Sequence, residues 1–430
     1  MTADVTRRVN RRRVFYIPGY DPIPPRRYRE LYRREGAAQA ALSGYDLTLT
    51  PGTAPGFGWR VRSTQDGQAT ETEITVLPWS DIVRASMGQS IAATYGQLIR
   101  TSWIYVTSGA LTRLMRLRKG PVIAALYPVA MLLAQAALAL AAGLALGALA
   151  AGFATRLWPG AGSIAGLALG LATALAIGLA LLRWFRARDG HLFAYYLMHD
   201  YAFTARDRGA TPPALHARLD QFATDIETAL HAPWDEVLIV GHSSGAHLAI
   251  PVLARLIREN RLPPSALSKY PGGAGAEPPP VLSFLSLGQV VPMVSFLPRA
   301  QALRADLRLL AASPALTWVD VTAPGDGCAF ALCDPVAVTG VAPADKRWPL
   351  VISAAFSQTL SPARWKALRW RFFRLHFQYL CAFDNLPAIP GAYDYFRITA
   401  GPMTLADRFA GRAPSHSRIE TPVNRYRDPA

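Results

Sequence analysis

The sequence predicts an α/β protein: a mostly parallel sheet covered by helices, interrupted by a pair of apolar helices of membrane length. Three observations carry this. Short β-branched runs alternate with helical periodicity, as they do where a parallel sheet is covered on both faces. Two long uncharged stretches occupy the middle of the chain. A glycine-bracketed serine, Gly241-His242-Ser243-Ser244-Gly245, joins an apolar strand-like run to an apolar helix-like one.

Val14 to Ile17 reads as a strand, closed by the turn Pro18-Gly19-Tyr20-Asp21-Pro22. Arg26 to Ala41 reads as a helix, and Tyr45 to Thr50 and Trp59 to Ser63 as strands. Asp66-Gly67 supplies a hairpin turn into a strand over Glu73 to Leu77. Thr211-Pro212 suits a helix start, and Leu215, Leu219, Phe222, Ile226 and Leu230 then share one helical face. Glu236 to Val240 reads as a buried strand with a helix from about Gly245, in which Pro251 predicts a kink. Val281 to Leu287, Leu316 to Val321 and Leu350 to Ala354 read as strands, with a helix over Ala300 to Ala311. Ser361-Pro362 is expected to cap one long helix through Arg374, and the Gly/Pro-rich Lys269 to Pro280 to be a loop.

The middle of the chain carries no charge from Gly120 to Thr155, and again none from Leu157 to Leu182. A bilayer core of about 30 Å needs about 20 apolar helical residues, and each run supplies them. A buried helix in a soluble protein rarely stays apolar on every face for so long. Neither run is N-terminal, which argues against a cleaved signal. Arg113, Arg116, Arg118 and Lys119 precede the first run and Arg183, Arg186 and Arg188 follow the second, so the flanks are expected on the cytoplasmic side of an inner membrane. Trp158 and Trp184 suit the interfaces, and Gly143/Gly147 and Gly166/Gly170 allow close helix packing.

Composition agrees. Hydrophobic residues make up 51% of the chain, and charged ones are 17%, against roughly 25% in soluble proteins. The net charge of +16 gathers at Arg7, Arg8, Arg11, Arg12 and Arg13, at Arg26, Arg27, Arg29, Arg33 and Arg34, and at Arg408, Arg412, Arg418, Arg425 and Arg427. These charges suit anionic lipid headgroups, or a solvated basic tail at each end. No nucleic-acid motif accompanies them. Cys328, Cys333 and Cys381 lack CxxC spacing and read as reduced thiols. No metal cluster, P-loop or dinucleotide fingerprint is present in the sequence, so no cofactor is expected.

The serine motif carries the chemistry. Glycines on either side let the chain turn sharply enough to lift Ser243 clear of the sheet, with its Oγ at a helix N-terminus where developing negative charge is stabilised. On this strand, GxSxG and helix, the chain resembles the α/β-hydrolase superfamily, over most of its length outside the apolar insert. The resemblance implies the chain order nucleophile, acid, histidine. His376, followed by Tyr379 in an HxxY pattern, is the implied base, with His416 the other histidine late enough in the chain. The implied acid follows the strand containing Asp320. Asp326 is the first choice and Asp334 the alternative. The oxyanion hole is implied at Ser244 and at Gly19 or Tyr20, although Pro18-Gly19-Tyr20 replaces the usual His-Gly.

The expected layout is an N-terminal part of the α/β domain over 1–110 and a transmembrane hairpin over 111–190, with helices at about 121–151 and 162–182. The C-terminal part with the elbow follows over 191–400, then a basic tail over 401–430. The expected function is hydrolysis of a carboxylic ester or thioester, small or lipid-linked, through an acyl-enzyme at a lipid membrane. Acyl transfer to an alcohol, or a catalytically silent membrane scaffold, are the alternatives.

Overall fold

The apolar runs become strands of one sheet. The computed structural model describes residues 7–428 apart from 53–55, 89, 158–161, 264–277, 387–388 and 390. The strands are β1 (Arg11–Ile17), β2 (Asp46–Pro51), β3 (Phe57–Gln65), β4 (Gln68–Val76), β5 (Glu236–His242), β6 (Val281–Leu287), β7 (Thr317–Thr322) and β8 (Leu350–Ser353). They form an eight-stranded sheet in the order β2-β3-β4-β1-β5-β6-β7-β8. Each pair from β4 to β8 across the sheet is parallel, while β3 runs against both of its neighbours. The β3–β4 turn holds Asp66 and Gly67 at φ 52° and 72°, the two left-handed residues that a tight hairpin needs. The protein is therefore an α/β chain with a mostly parallel sheet.

Both faces of the sheet are covered. Val14, Tyr16, Val240, Leu285, Val319 and Val321 join one core with Tyr379, Phe383 and Phe396. Against β5 lie the helix Ser244–Arg258 and, beside it, Pro213–Leu230 and Gln301–Ala312. Leu215, Leu219, Phe222, Ile226 and Leu230 are all buried, as their spacing predicts. That helix starts at Pro213 with Pro212 as its N-cap and has no side-chain cap, so Thr211 does not play the part expected of it.

A second departure affects the site. Ser361 does cap a helix, its Oγ accepting the Arg364 amide at 3.3 Å, but that helix ends at Leu368. A new one begins at Phe372 after Arg371 adopts a non-helical backbone. The break re-aims the chain, burying Leu375 and His376 while leaving Trp370 and Phe372 exposed. Periodicity and a good N-cap could not reveal it, because each half is helical by itself.

Two of the terminal arginines differ from the expectation of lipid-facing or solvated charge, while Arg8, Arg11, Arg425 and Arg427 are exposed. Arg12 and Arg13 are buried in β1. Arg12 Nε sits 2.6 Å from Glu236 Oε2, and its other nitrogens donate to the Gly401 and Met403 carbonyls. Farther along, Asp334 N–H donates to the Ile419 carbonyl and the Ile419 amide to Leu332 O, so the C-terminal stretch is tied to the domain.

The chain divides into two units. One, Met1–Ala85 with Ser108–Pro121 and Asp207–Ala430, carries the sheet; the other, Ser86–Thr107 with Val122–Arg206, is helical. Two helices, Lys119–Leu157 and Ile164–Ala187, are long and apolar enough to cross a membrane. Only 22% and 11% of their most apolar stretches are buried. A core helix of a soluble protein would hide most of that surface. A Cβ on Gly147 would lie 2.5 Å from Gly170 O, and one on Gly143 2.6 Å from Ala174 O, so the glycine pairs do let these helices meet backbone to backbone. Ile91–Thr107 and Ala194–Arg206 join them around Leu98, Leu132, Tyr195 and Met198. Trp184 is half exposed; Trp158 and most of the Lys269 to Pro280 loop lie outside the described residues.

Candidate active site

The apolar strand β5 ends at His242 and the next helix starts at Ser244, which leaves Ser243 alone to make the turn. It does so at φ 56° and ψ −122°, a region that costs a non-glycine residue roughly 1–3 kcal/mol. The two motif glycines permit it. A Cβ on Gly241 would lie 2.7 Å from Ala246 Cα, and one on Gly245 would collide with the Ile17 carbonyl. Ser243 is partly buried between buried neighbours, and its amide donates to Leu287 O at 2.9 Å. Ser244 is the first residue of the helix, so its N–H has no partner within that helix and points outward at the positive end of the dipole.

Pairing of Ile17 with Gly241 brings the loop after β1 to the elbow. A Cβ on Gly19 would be 3.0 Å from Ser243 Cβ and 3.4 Å from its Oγ, so only glycine allows this approach without a shift. Trp79 anchors the loop: its Nε1 donates to Pro18 O at 2.9 Å, and its ring meets the buried Tyr20 edge-on at 5.9 Å.

Asp326 lies in the turn after β7 and His376 ends the short helix Phe372–His376. His376 Nδ1 and Asp326 Oδ2 are 2.7 Å apart. Tyr379 O–H donates to the same oxygen at 3.1 Å, and the Cys328 amide donates to Oδ1 at 2.9 Å. Burial alone would raise the Asp326 carboxyl. The charge and hydrogen bond of His376, with these other donors, outweigh it and hold the group below its ordinary value. A carboxylate with Nδ1–H donated to it sets the tautomer, leaving His376 Nε2 as the acceptor nitrogen.

His376 packs against residues next to the elbow. His242 lies 4.9 Å from the His376 ring, centroid to centroid. Its Nε2 is 2.9 Å from the His376 carbonyl, which can only accept, so Nε2 carries the proton. Leu287 receives the Ser243 amide, and the next residue, Gly288, has φ 53°. A Cβ there would lie 3.1 Å from His376 Cε1 and 2.7 Å from Tyr379 Cε2.

Other sequence candidates lie elsewhere. Asp334 Oδ1 caps the helix Pro335–Thr339 by accepting the Val336 and Ala337 amides, and Oδ2 meets Lys346 Nζ at 2.7 Å. Asp320 lies inside β7, its Oδ1 accepting the Ser286 hydroxyl at 2.5 Å; burial pushes its carboxyl up to about 8. His416 is exposed, and His247 sits half-buried on the elbow helix. Sequence reasoning missed the parts of His242, Gly288 and the Cys328 amide; positive φ and long-range contact leave no local signal. Among the described residues, ligand-type atoms of Asp326, Cys328 and His376 come within 4.8 Å of one another. Both carboxylate oxygens and His376 Nδ1 are engaged there in the bonds just given.

Ser243, the Gly19 loop, Gly288 and Asp326 therefore lie just beyond the carboxyl ends of β5, β1, β6 and β7, where open parallel sheets gather their functional groups. No known protein-family model, characterised protein or solved structure matches the chain, so the reading of this site rests on its own geometry.

Proposed function

We propose that the chain is a membrane-anchored serine hydrolase of the α/β-hydrolase type, cleaving a carboxylic ester or thioester through an acyl-enzyme. The observation that carries this is the buried Asp326–His376 pair at 2.7 Å, its histidine packed on His242, the residue before a serine in a strained strand-to-helix turn. The strand sequence supports it: nucleophile after β5, acid after β7 and histidine after β8, all on parallel strands. In this reading His376 Nε2 takes the Ser243 proton as Oγ attacks the carbonyl carbon. The resulting oxyanion is held by the Ser244 amide and an amide of Gly19 or Tyr20. His376 then protonates the leaving alcohol or thiol. Water, deprotonated by the same nitrogen, releases the acid and restores the serine.

The two apolar helices are read as a transmembrane hairpin. Their cationic outer flanks support a reading in which both ends of the hairpin lie on the cytoplasmic side of an inner membrane. The test is labelling of the detergent-purified full chain by a fluorophosphonate, together with turnover of a short activated ester. Wild type should label and turn over; Ser243→Ala should do neither while keeping its melting temperature. A wild type that neither labels nor hydrolyses would sink the catalytic reading and leave a hydrolase-like scaffold.

A further inference from the structure

The broken helix before His376 leaves an unusual surface. Trp370 is 73% exposed and Phe372 50% exposed. Single exposed apolar residues are ordinary, but these two stand among Lys366, Arg369, Arg371 and Arg374, all exposed as well. Among the described residues none of these four cations meets a carboxylate. Some surface cations elsewhere do: Arg218 pairs with Asp81 at 2.7 Å and Arg397 with Asp66 at 3.1 Å. The Arg369 guanidinium lies 5.6 Å from the Trp370 ring centroid. The surface also has a fixed place. A Cβ on Gly325 would lie 2.5 Å from the Trp365 ring, and one on Gly327 3.3 Å from Phe372 Cδ1, so the segment grips the turn on both sides of Asp326.

We propose that Lys366 to Arg374 is a docking surface for an anionic lipid bilayer, which sets the rim of the site against the headgroups. Tryptophan and long cationic side chains are the residues that settle at a membrane–water interface, the ring among the acyl boundary and the charge among the phosphates. Charge complementarity selects anionic lipid, each cation near such a surface adding roughly fivefold to binding. An acidic protein would satisfy the charges, but the chain's own apolar helices keep lipid at a high effective concentration that no soluble partner matches. The proposal rests on the membrane reading of those helices and not on the hydrolase reading.

The test uses the full-length protein in nanodiscs of phosphatidylcholine alone or mixed with phosphatidylglycerol, each with and without acyl-brominated lipid. Bromine quenches tryptophan on contact, and subtracting the Trp370→Phe variant isolates the signal of Trp370. Quenching of that signal is expected in anionic discs. It should be largely absent in neutral discs and lost from anionic discs in the double variant R369E/R371E. A Trp370 equally bright with and without bromine in anionic discs, or equally quenched in both lipids, overturns the proposal. Failure of the chain to enter discs overturns the membrane reading and this proposal with it. Fluorophosphonate labelling of the same samples reports separately on the catalytic reading.

Discussion

Asp326 accepts hydrogen bonds from His376, Tyr379 and the Cys328 amide, so its charge is neutralised by donors and not by water. In the proposed mechanism such a carboxylate orients the base and stabilises the imidazolium formed during attack. Asp326→Asn, which offers the wrong group to Nδ1, should therefore lower kcat by about 10⁴-fold without unfolding the chain, as in other triads. Ester turnover within tenfold of wild type would remove Asp326 from the acid's role. On the same reading Tyr379 is a positioning residue, its hydroxyl also accepting the Ala323 amide at 3.0 Å. His242 gives a pH-dependent counterpart. Burial first, and the charge of His376 second, push its imidazole down to about 3. The unfolded chain binds this proton below about pH 6.5, where the folded chain does not. Stability tied to His242 is thus full above pH 6.5 and is lost as pH falls towards 3. His242→Gln can still donate to the His376 carbonyl and cannot titrate there. Its melting temperature in detergent should fall less than that of wild type between pH 6.5 and pH 4. Parallel melting profiles would show that His242 contributes nothing to acid sensitivity.

Elements place these residues through a few backbone positions. Gly288, at the end of β6, combines a left-handed φ with close approach to both His376 and Tyr379. Gly288→Ala should displace the base by a fraction of an ångström or more, and a misplacement near 1 Å costs roughly 10²-fold in rate. The check is kcat for a short ester in a variant that still melts cooperatively; a wild-type kcat would refute the idea. Gly147→Leu, in the contact with Gly170, should pry the two long helices apart and lower the detergent melting temperature, with fluorophosphonate labelling as the readout of the site. The strands and the elbow were legible because their signals are local: a β-branched run, a GxSxG, an apolar stripe. The partner of His376 was narrowed to Asp326 and Asp334 by chain order, but the choice between them depended on which turn faces the base. The break after Leu368 was illegible for the same reason, since tertiary contacts of Trp365 and Phe372 with the acid turn accompany it.

At the scale of the whole molecule, distant stretches meet at the buried pair Arg12–Glu236. Glu236 Oε1 also receives the Ser283 hydroxyl at 2.6 Å and the Leu405 amide at 2.7 Å, joining β1, β5, β6 and the C-terminal stretch. Composition presented Arg12 as one more charge in a basic cluster; its partner lies too far along the chain for any local pattern to reveal. Glu236→Ala would strand a buried guanidinium, a loss of about 3–5 kcal/mol. It should leave the chain largely unfolded or aggregated, whereas Arg12→Met with Glu236→Leu should recover much of that loss. Detergent-solubilised yield and melting temperature compare the two. The same adjacency has a consequence for how the protein is made. β1 lies between β4 and β5, yet β5 begins at Glu236, after both long apolar helices have been synthesised. A nascent chain that has just emitted those helices holds β1 with one edge unpaired, a surface prone to pairing with other chains. On the proposed membrane reading, insertion of the two helices comes before the sheet closes, and a ribosome-bound chain waiting for β5 would be a natural client of a holding chaperone.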